Sequence, residues 1–302
     1  MNPLHVTRYG KGPDEGAINI LVPHDASYDQ FAFEYPDLLN EMLDAVKVDE
    51  ETYKKFLTIE QDVFATEAAE LLAKNIVGHF QGGIRVQVIK IMIPRGILDM
   101  NRIEERALWK TFDHEQHSYL KKRLLSMYRI AYREIKKKIM QAGMVIDLHT
   151  MSPTNPRRVI EVNPDNLKDF IKSWDINPDN PRKIDIITSQ TIGDETRSLG
   201  DKVVIKAVCK ALKDHGIEHE QSGTFRLSNI HLGTEWAELA KSYFNIDLTK
   251  DWGSKVPVDH EGFDISKLDY DETKLAGLMH VIGGAIAEVI NQRLSDPKLL
   301  VH

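Results

Sequence analysis

The stretch "GMVIDLHTM", Gly143 to Met151, decides the fold. Val145 and Ile146 read as a buried strand, yet the strand ends on a carboxylate and an imidazole, Asp147 and His149. Side chains two apart on a strand point the same way, so Asp147 and His149 share a face. A single Asp-x-His is more often a capped strand end with one satisfied histidine. The rest of the chain has to change that reading.

Outward from this strand, apolar periodicities alternate between strand-like and helical. "AINILVPH" (17–24) reads as a short buried strand ending at Pro23, and "IRVQVIKIMIP" (84–94) as a strand. Between them, "EETYKKFLTIEQDVFATEAAELLAKNI" carries helical spacing, with Val63, Ala68, Leu71 and Leu72 in an apolar stripe. That spacing puts Asp62 on a helix. From about Glu104 to Ala142, Leu120, Leu124, Met127, Ala131, Ile135 and Ile139 recur at three or four residues. A short helix lies within the turn-rich 163–181. "IDIITSQ" reads as a strand, "GDKVVIKAVCKALKDHG" as a helix ended by Gly216, "GIEHEQSGTFRLSN" as extended, and "DETKLAGLMHVIGGAIAEVINQRL" as a last helix. Alternation of this kind predicts an α/β fold, a mixed, mostly parallel sheet with helices on both faces. With no repeat or linker in evidence, one domain over 1–302 is the simplest reading.

Composition narrows the function. The chain has 302 residues, 42% hydrophobic and 28% charged, ordinary for a soluble globular protein. A net charge of -7 argues against a broad nucleic-acid surface, so an anionic substrate would need particular arginines. Cys209 is the sole cysteine, which excludes an internal disulfide framework and a multi-cysteine metal site. No apolar run approaches the ~20 residues of a membrane helix, and the first residues carry no apolar signal core. A cytoplasmic protein with a small-molecule substrate is the default expectation.

Polar clusters collect where strands stop. They are "VPHDASYD" with His24, Asp25 and Asp29, "PRGILDMNR" with Arg95, Asp99, Asn101 and Arg102, and "VIDLHT". Ligands bind beyond the carboxyl ends of strands in open α/β sheets. Catalytic zinc takes three ligands from His and Asp/Glu and keeps a position for water. His24 and His149 offer two; the third carboxylate could be Asp25, Asp29, Glu60 or Asp62. Asp147, on the face of His149, and Asp99 are candidates to orient an imidazole from behind, while Asp99 and Asn101 equally suit a turn. His114 and His117 lack the spacing of a metal helix, and Lys136 to Lys138 read as a solvated face.

In order and separation, Pro23-His24, Glu60-x-Asp62, Arg95-x-x-x-Asp99-x-Asn101-Arg102 and Asp147-x-His149-Thr150 resemble the N-formylglutamate amidohydrolase family, relatives of the zinc carboxypeptidases and aspartoacylases. The likeness covers roughly residues 18–150. It implies a zinc-carboxypeptidase-like fold and zinc held by His24, His149 and a carboxylate, with Asp62 matching the acidic pair. It implies hydrolysis of a linear amide, N-formyl-L-glutamate to formate and glutamate in the family, with amino-acid catabolism as the setting. Another acylated amino acid or peptide, or a binding protein that kept the fold, are the alternatives. Arg95, Asn101, Arg102 and Arg226 are the expected substrate-carboxylate residues, Arg102 first among them. The family's late general base lies in a stretch resembling Ile-Glu-Ile-Asn-Arg. Matched to "FDISKL", that makes Asp264 the acid, with Glu261 three residues earlier, and Glu235, Glu60 and Asp29 in reserve. The chain departs from the family in having Ala26 where glycine is usual, and Asp for Glu at the base.

Overall fold

Met144 to Met151 is a strand, and every residue in it is buried. In the computed structural model, which describes residues 2–156, 160–173, 176–255 and 270–295, it is β4. The strands in chain order are β1 (Leu4–Tyr9), β2 (Ile18–Val22), β3 (Val86–Ile91), β4 (Met144–Met151), β5 (Thr154–Pro156), β6 (Ile176–Pro181), β7 (Ile184–Ile186), β8 (Ser189–Ile192), β9 (Glu195–Ser198), β10 (His219–Gln221), β11 (Leu227–Ser228) and β12 (Tyr243–Thr249). The helices are α1 (Tyr28–Glu34), α2 (Pro36–Ala45), α3 (Glu50–Glu60), α4 (Ala65–His79), α5 (Glu104–Ala107), α6 (Ser118–Gln141), α7 (Leu167–Ser173), α8 (Lys202–Asp214), α9 (Leu232–Leu239) and α10 (Glu272–Ser295).

Seven strands form the main sheet in the order β1-β3-β2-β4-β12-β7-β10. β1 and β7 run antiparallel to their neighbours β3 and β12, and the other pairings are parallel. The expected mixed, mostly parallel α/β sandwich is therefore the fold. Alternation along β4 separates two cores. Met144, Ile146 and Leu148 join one beneath α4, α8 and α10; Val145 faces the other, beneath α1, α2, α3, α6 and α7. Each fully buried aliphatic side chain of this kind contributes roughly 1.5–3 kcal/mol. A one-residue slip of β4 would turn its apolar set into the polar layer, so the pattern fixes the register.

Two long helices anticipated from the sequence are broken. The stretch 50–76 divides into α3 and α4, with Gln61 to Phe64 as a turn between them and Asp62 in the turn rather than on a helix. The turn is tight, with Phe64 at φ 70°, and its ring lies so close to Gly253 that a Cβ there would meet it at 2.4 Å. The stretch 104–142 is α5, an irregular segment, then α6. α10 is long and apolar enough to cross a membrane by length and composition, but half of its apolar window is buried inside the fold, packed on α4 and α8.

Asp201 fastens the last helix to the rest. It caps α8 by accepting from the Val203 and Val204 amides at 3.0 and 3.3 Å, and it takes bonds from Ser242 Oγ at 2.6 Å and Arg293 Nη2 at 2.5 Å. Burial works against its charge, but Ser242 and Arg293 hold its carboxyl below the usual range. Asp201→Ala should cost about 0.5–2 kcal/mol for the cap, with the lost ion pair added. A depressed carboxylate contributes stability above its unfolded pKa of about 4 and loses it as pH falls through the folded value. Wild type and variant should therefore converge in thermal or urea melts below about pH 4. An undiminished gap in acid would remove the charge from the explanation.

Candidate metal centre

β2 and β4 are parallel neighbours, with Leu21 opposite Asp147. His24, three residues past Leu21, and His149, two past Asp147, therefore emerge side by side, their ring centroids 5.0 Å apart. The Asp62 turn is tied to both strand ends. The Asp62 amide donates to the His24 carbonyl at 3.0 Å, and Thr150 Oγ1 donates to the Val63 carbonyl at 2.8 Å. Asp25, a candidate ligand in the sequence, instead supports this turn. Its carboxylate accepts from the Thr66 amide at 2.8 Å and Gln61 Nε2 at 3.0 Å.

The result is one buried cluster, His24, Asp62 and His149, with one ligand atom from each within 4.8 Å of the others. Among the described residues it is the one such group. Asp62 Oδ2 lies 3.4 Å from His24 Nδ1 and 3.0 Å from His149 Nδ1. The far nitrogens face carboxylates: His24 Nε2 is 2.8 Å from Asp99 Oδ1, and His149 Nε2 is 3.2 Å from Asp147 Oδ1, though off the hydrogen-bond line. Asp147 is itself held by Tyr243 Oη at 2.8 Å and Asn245 Nδ2 at 3.2 Å. Asp99, accepting from His24 Nε2, leaves His24 Nδ1 as a lone pair, whereas His149 Nδ1 donates to Asp62 Oδ2.

Whether this set suits a cation can be judged from its own atoms. His24 Nδ1 is buried without a hydrogen-bond partner, and two nitrogens and a carboxylate oxygen converge. That is the donor set of a three-ligand zinc site with a position left open. Burial opposes charge on Asp62, yet His24 and His149 hold its carboxyl far below the usual range. The residues fit a metal.

Asp99 serves a second purpose. Its Oδ1 accepts the Asn101 amide at 2.9 Å, and its Oδ2 lies 3.4 Å from both Arg95 Nε and Arg102 Nε. Arg102 Nη1 is 2.6 Å from His231 Nε2. The 101–103 segment is stitched to 230–232, with the Ile103 amide on the Ile230 carbonyl and the Leu232 amide on the Asn101 carbonyl, both at 3.0 Å. Burial and the Arg102 charge push the His231 pKa down to about 4, so the ring stays neutral and can accept from the guanidinium. Sequence reading passed over His231.

It also passed over a strand. β12 lies between β4 and β7, and its register sets Tyr243 opposite Val145, Asn245 opposite Asp147 and Asp247 opposite His149. Asp247 and His149 therefore share a face at the ends of adjacent strands, and both line the same cavity, of about 870 Å3. Burial, then Asp62 and Asp185, raise the Asp247 pKa to about 6, with His149 opposing. Lys250, buried immediately after the end of β12, is lowered to about 8, chiefly by burial. The signal was present. Ile246-Asp247-Leu248-Thr249-Lys250 follows the pattern Ile-Glu-Ile-Asn-Arg more fully than "FDISKL" does. Asp264 and Glu261 lie outside the described residues.

The other sequence candidates divide. Arg95, Asn101 and Arg226 line the cavity with Glu60 and Asp99. Burial opposes the Arg95 charge, but Asp99, Glu60 and Asp62 more than restore it. Asp29 is exposed and pairs with Lys54 at 2.6 Å. Glu235 bonds Tyr132 and Lys136 away from the cavity. His114 bonds the Trp109 carbonyl, and His117 sits at the start of α6.

No family model matches the chain, and no curated protein matches it. Solved structures do. The N-formylglutamate amidohydrolase of Ralstonia eutropha aligns with a TM-score of 0.58 at 11% identity, over 97% of this chain and 99% of that one. A gene product of Agrobacterium tumefaciens gives 0.48 at 12% identity, over 99% and 97%. A bacteriophage poly-gamma-glutamate hydrolase gives 0.41 at 7%, over 96% and 91%. The first of these establishes a shared fold, and it is the fold of the family that the motifs resemble.

Proposed function

We propose that this chain, with the fold of an N-formylglutamate amidohydrolase, is a zinc-dependent amidohydrolase that releases an acyl group from an N-acylated amino acid. One observation carries the reading: the convergence of His24, Asp62 and His149, each imidazole backed by its own carboxylate, inside an arginine-lined cavity. Zinc held by these three residues would supply an activated water and polarise the scissile carbonyl. N-formyl-L-glutamate is the substrate that the resemblance brings forward.

The chain's own residues take the remaining roles. Asp247, beside His149, takes the proton of the attacking water and returns it to the leaving amine. A carboxyl with a pKa near 6 is suited to both, because it gains and loses a proton close to working pH. Arg102 holds the carboxylate of the amino-acid portion. Its guanidinium is fixed from one side by Asp99 and from another by His231, so little side-chain entropy remains to be lost on binding. Arg95, beside Asp62 and Asp99, contributes positive charge next to the reacting carbonyl.

The test is metal analysis of protein purified without added zinc, followed by a hydrolysis screen over N-formyl, N-acetyl and N-succinyl amino acids. Bound zinc near one per chain with cleavage of one class supports the proposal. Absence of zinc after replete expression would end it. On the substrate found, Arg102→Ala should raise KM roughly 10–100-fold with kcat little changed, as expected for a charge-assisted bond made alike in ground and transition states. His231→Leu should follow in the same direction by a smaller factor, and His231→Gln, which keeps an acceptor, should recover part of the loss. A fall in kcat alone would take the clamp role away from Arg102.

A further inference from the structure

The cavity holds more than the metal cluster and its arginines. Ile59, Leu108, Trp109, Ile160, Val162 and Phe170 also line it. They come from the end of α3, the segment after α5, the segment before α7, and α7 itself. Trp109, Leu108 and Ile160 are only partly buried, and they pack on the core that contains the other three. The Trp109 ring stands edge-on to Phe56 and Phe170, with centroids at 5.6 and 6.5 Å. These residues form one apolar wall.

The wall adjoins the reacting centre. Ile59 precedes the ligand Asp62 by three residues. Trp109 is pinned to the turn that carries Arg95 and Asp99. Its amide donates to the Ile97 carbonyl at 3.3 Å, the Asp99 amide donates to the Ala107 carbonyl at 2.7 Å, and Leu98 bridges Leu108. The aromatic surface is thus held in a fixed place relative to the metal ligands.

A formyl group is the smallest acyl group, and the glutamate side chain is polar. Neither would cover this wall, and apolar surface left facing water forgoes the main driving force for binding. A volume of about 870 Å3 lies toward the upper end of the roughly 300–1,000 Å3 that drug-sized ligands occupy. Resting on the amidohydrolase reading above, we propose that the substrate is an N-acylated amino acid with a bulky apolar, aromatic group seated on the Ile59–Trp109–Phe170 wall and a carboxylate on Arg102. The group could belong to the acyl portion or to the amino-acid side chain. The chemistry recognised is the same.

Zinc-loaded full-length protein is tested with four probes. N-benzoylglycine carries the ring on the acyl side, and N-formyl-L-phenylalanine carries it on the amine side. N-acetylglycine and N-formyl-L-glutamate carry none. Binding is measured by calorimetry and turnover by amine release. One aromatic probe should exceed both others by roughly 10–200-fold in kcat/KM, the range that apolar pocket contacts provide, and should bind at least about 10-fold tighter; which probe wins locates the ring. Trp109→Ala and Ile160→Asp should each shrink the ratio of aromatic to non-aromatic kcat/KM at least about 10-fold, and Trp109→Phe should keep most of it. Ile160→Asp guards against misfolding of the tryptophan variant, because Ile160 is not part of the aromatic packing. Tight aromatic binding with no turnover of any probe keeps the wall assignment and sinks the hydrolase reading. Equal or better binding and turnover of N-formyl-L-glutamate overturns the wall assignment and leaves the hydrolase reading standing. Failure of all four probes to bind overturns the wall assignment as well.

Discussion

Replacing His149 with alanine is expected to abolish zinc binding and activity together, while the chain still folds. His149 supplies one of three converging donors, and its loss leaves His24 and Asp62, too few for a closed zinc shell. Zinc should drop from about one per chain to a trace in the variant, and turnover should fall to background. The strand itself should survive, because the apolar face of β4, Met144, Ile146 and Leu148, is untouched. Asp147 keeps its bonds from Tyr243 and Asn245, so its buried carboxylate is not stranded. Asp147→Asn is the milder companion. It removes the carboxylate behind the ring and should weaken metal affinity roughly 10–100-fold. Elemental analysis, circular dichroism and steady-state rates settle both. Full zinc occupancy in His149→Ala would show that the ligand was wrongly chosen.

The second large effect belongs to Asp247. Asp247→Asn keeps the shape of the side chain and removes its basicity, so kcat should fall ~10²–10⁴-fold while zinc is retained. KM should move little if the group acts only on the proton. Asp247→Asn also lifts a negative charge from beside His149, so zinc content must be measured with the rates. Asp264→Asn and Glu261→Gln, the acids first matched to the family pattern, belong in the same experiment. If Asp247→Asn retains near-full kcat and either of the others collapses, the base lies in that later stretch.

What the sequence displayed and what it hid follow from one physical distinction. β4 was legible because its apolar residues identify a strand and Asp147 and His149 stand out at its end. β12 is built the same way, but Asn245, Asp247 and Thr249 alternate with Phe244, Ile246 and Leu248. That is the pattern of a strand with one wet face. Here that face turns inward: Asn245 and Thr249 are buried, Asp247 is half-buried, and Asn245 and Asp247 line the cavity. Local rules fail most often at functional positions, and this one concealed both the strand and its acid. In the sequence Asp62 reads as helical because the stripe on either side of it keeps helical spacing. Contacts from His24, Asp25 and Thr150, distant in sequence, make the turn that interrupts it. His231 gave no local sign, since its place depends on pairing with a segment more than a hundred residues away.

The sheet order carries a consequence for how the molecule is made. A ribosome emits the chain from its first residue, and the strands β1, β2, β3 and β4 all precede residue 152. Neighbouring strands β1-β3-β2-β4 can thus pair as a unit before the second half exists. His24, Asp62 and His149 all reside in that early half. The acid does not: Asp247 enters only when β12 slots against the waiting edge of β4. Under the proposed roles, nascent protein would gather its metal ligands first and gain its proton-transfer group last, and a chain released before residue 243 would hold the His24, Asp62 and His149 cluster without Asp247. It would also expose β4 as a bare, hydrophobic edge, a template for pairing with other chains. Truncations in this region should be lost to aggregation rather than persist as weak enzymes.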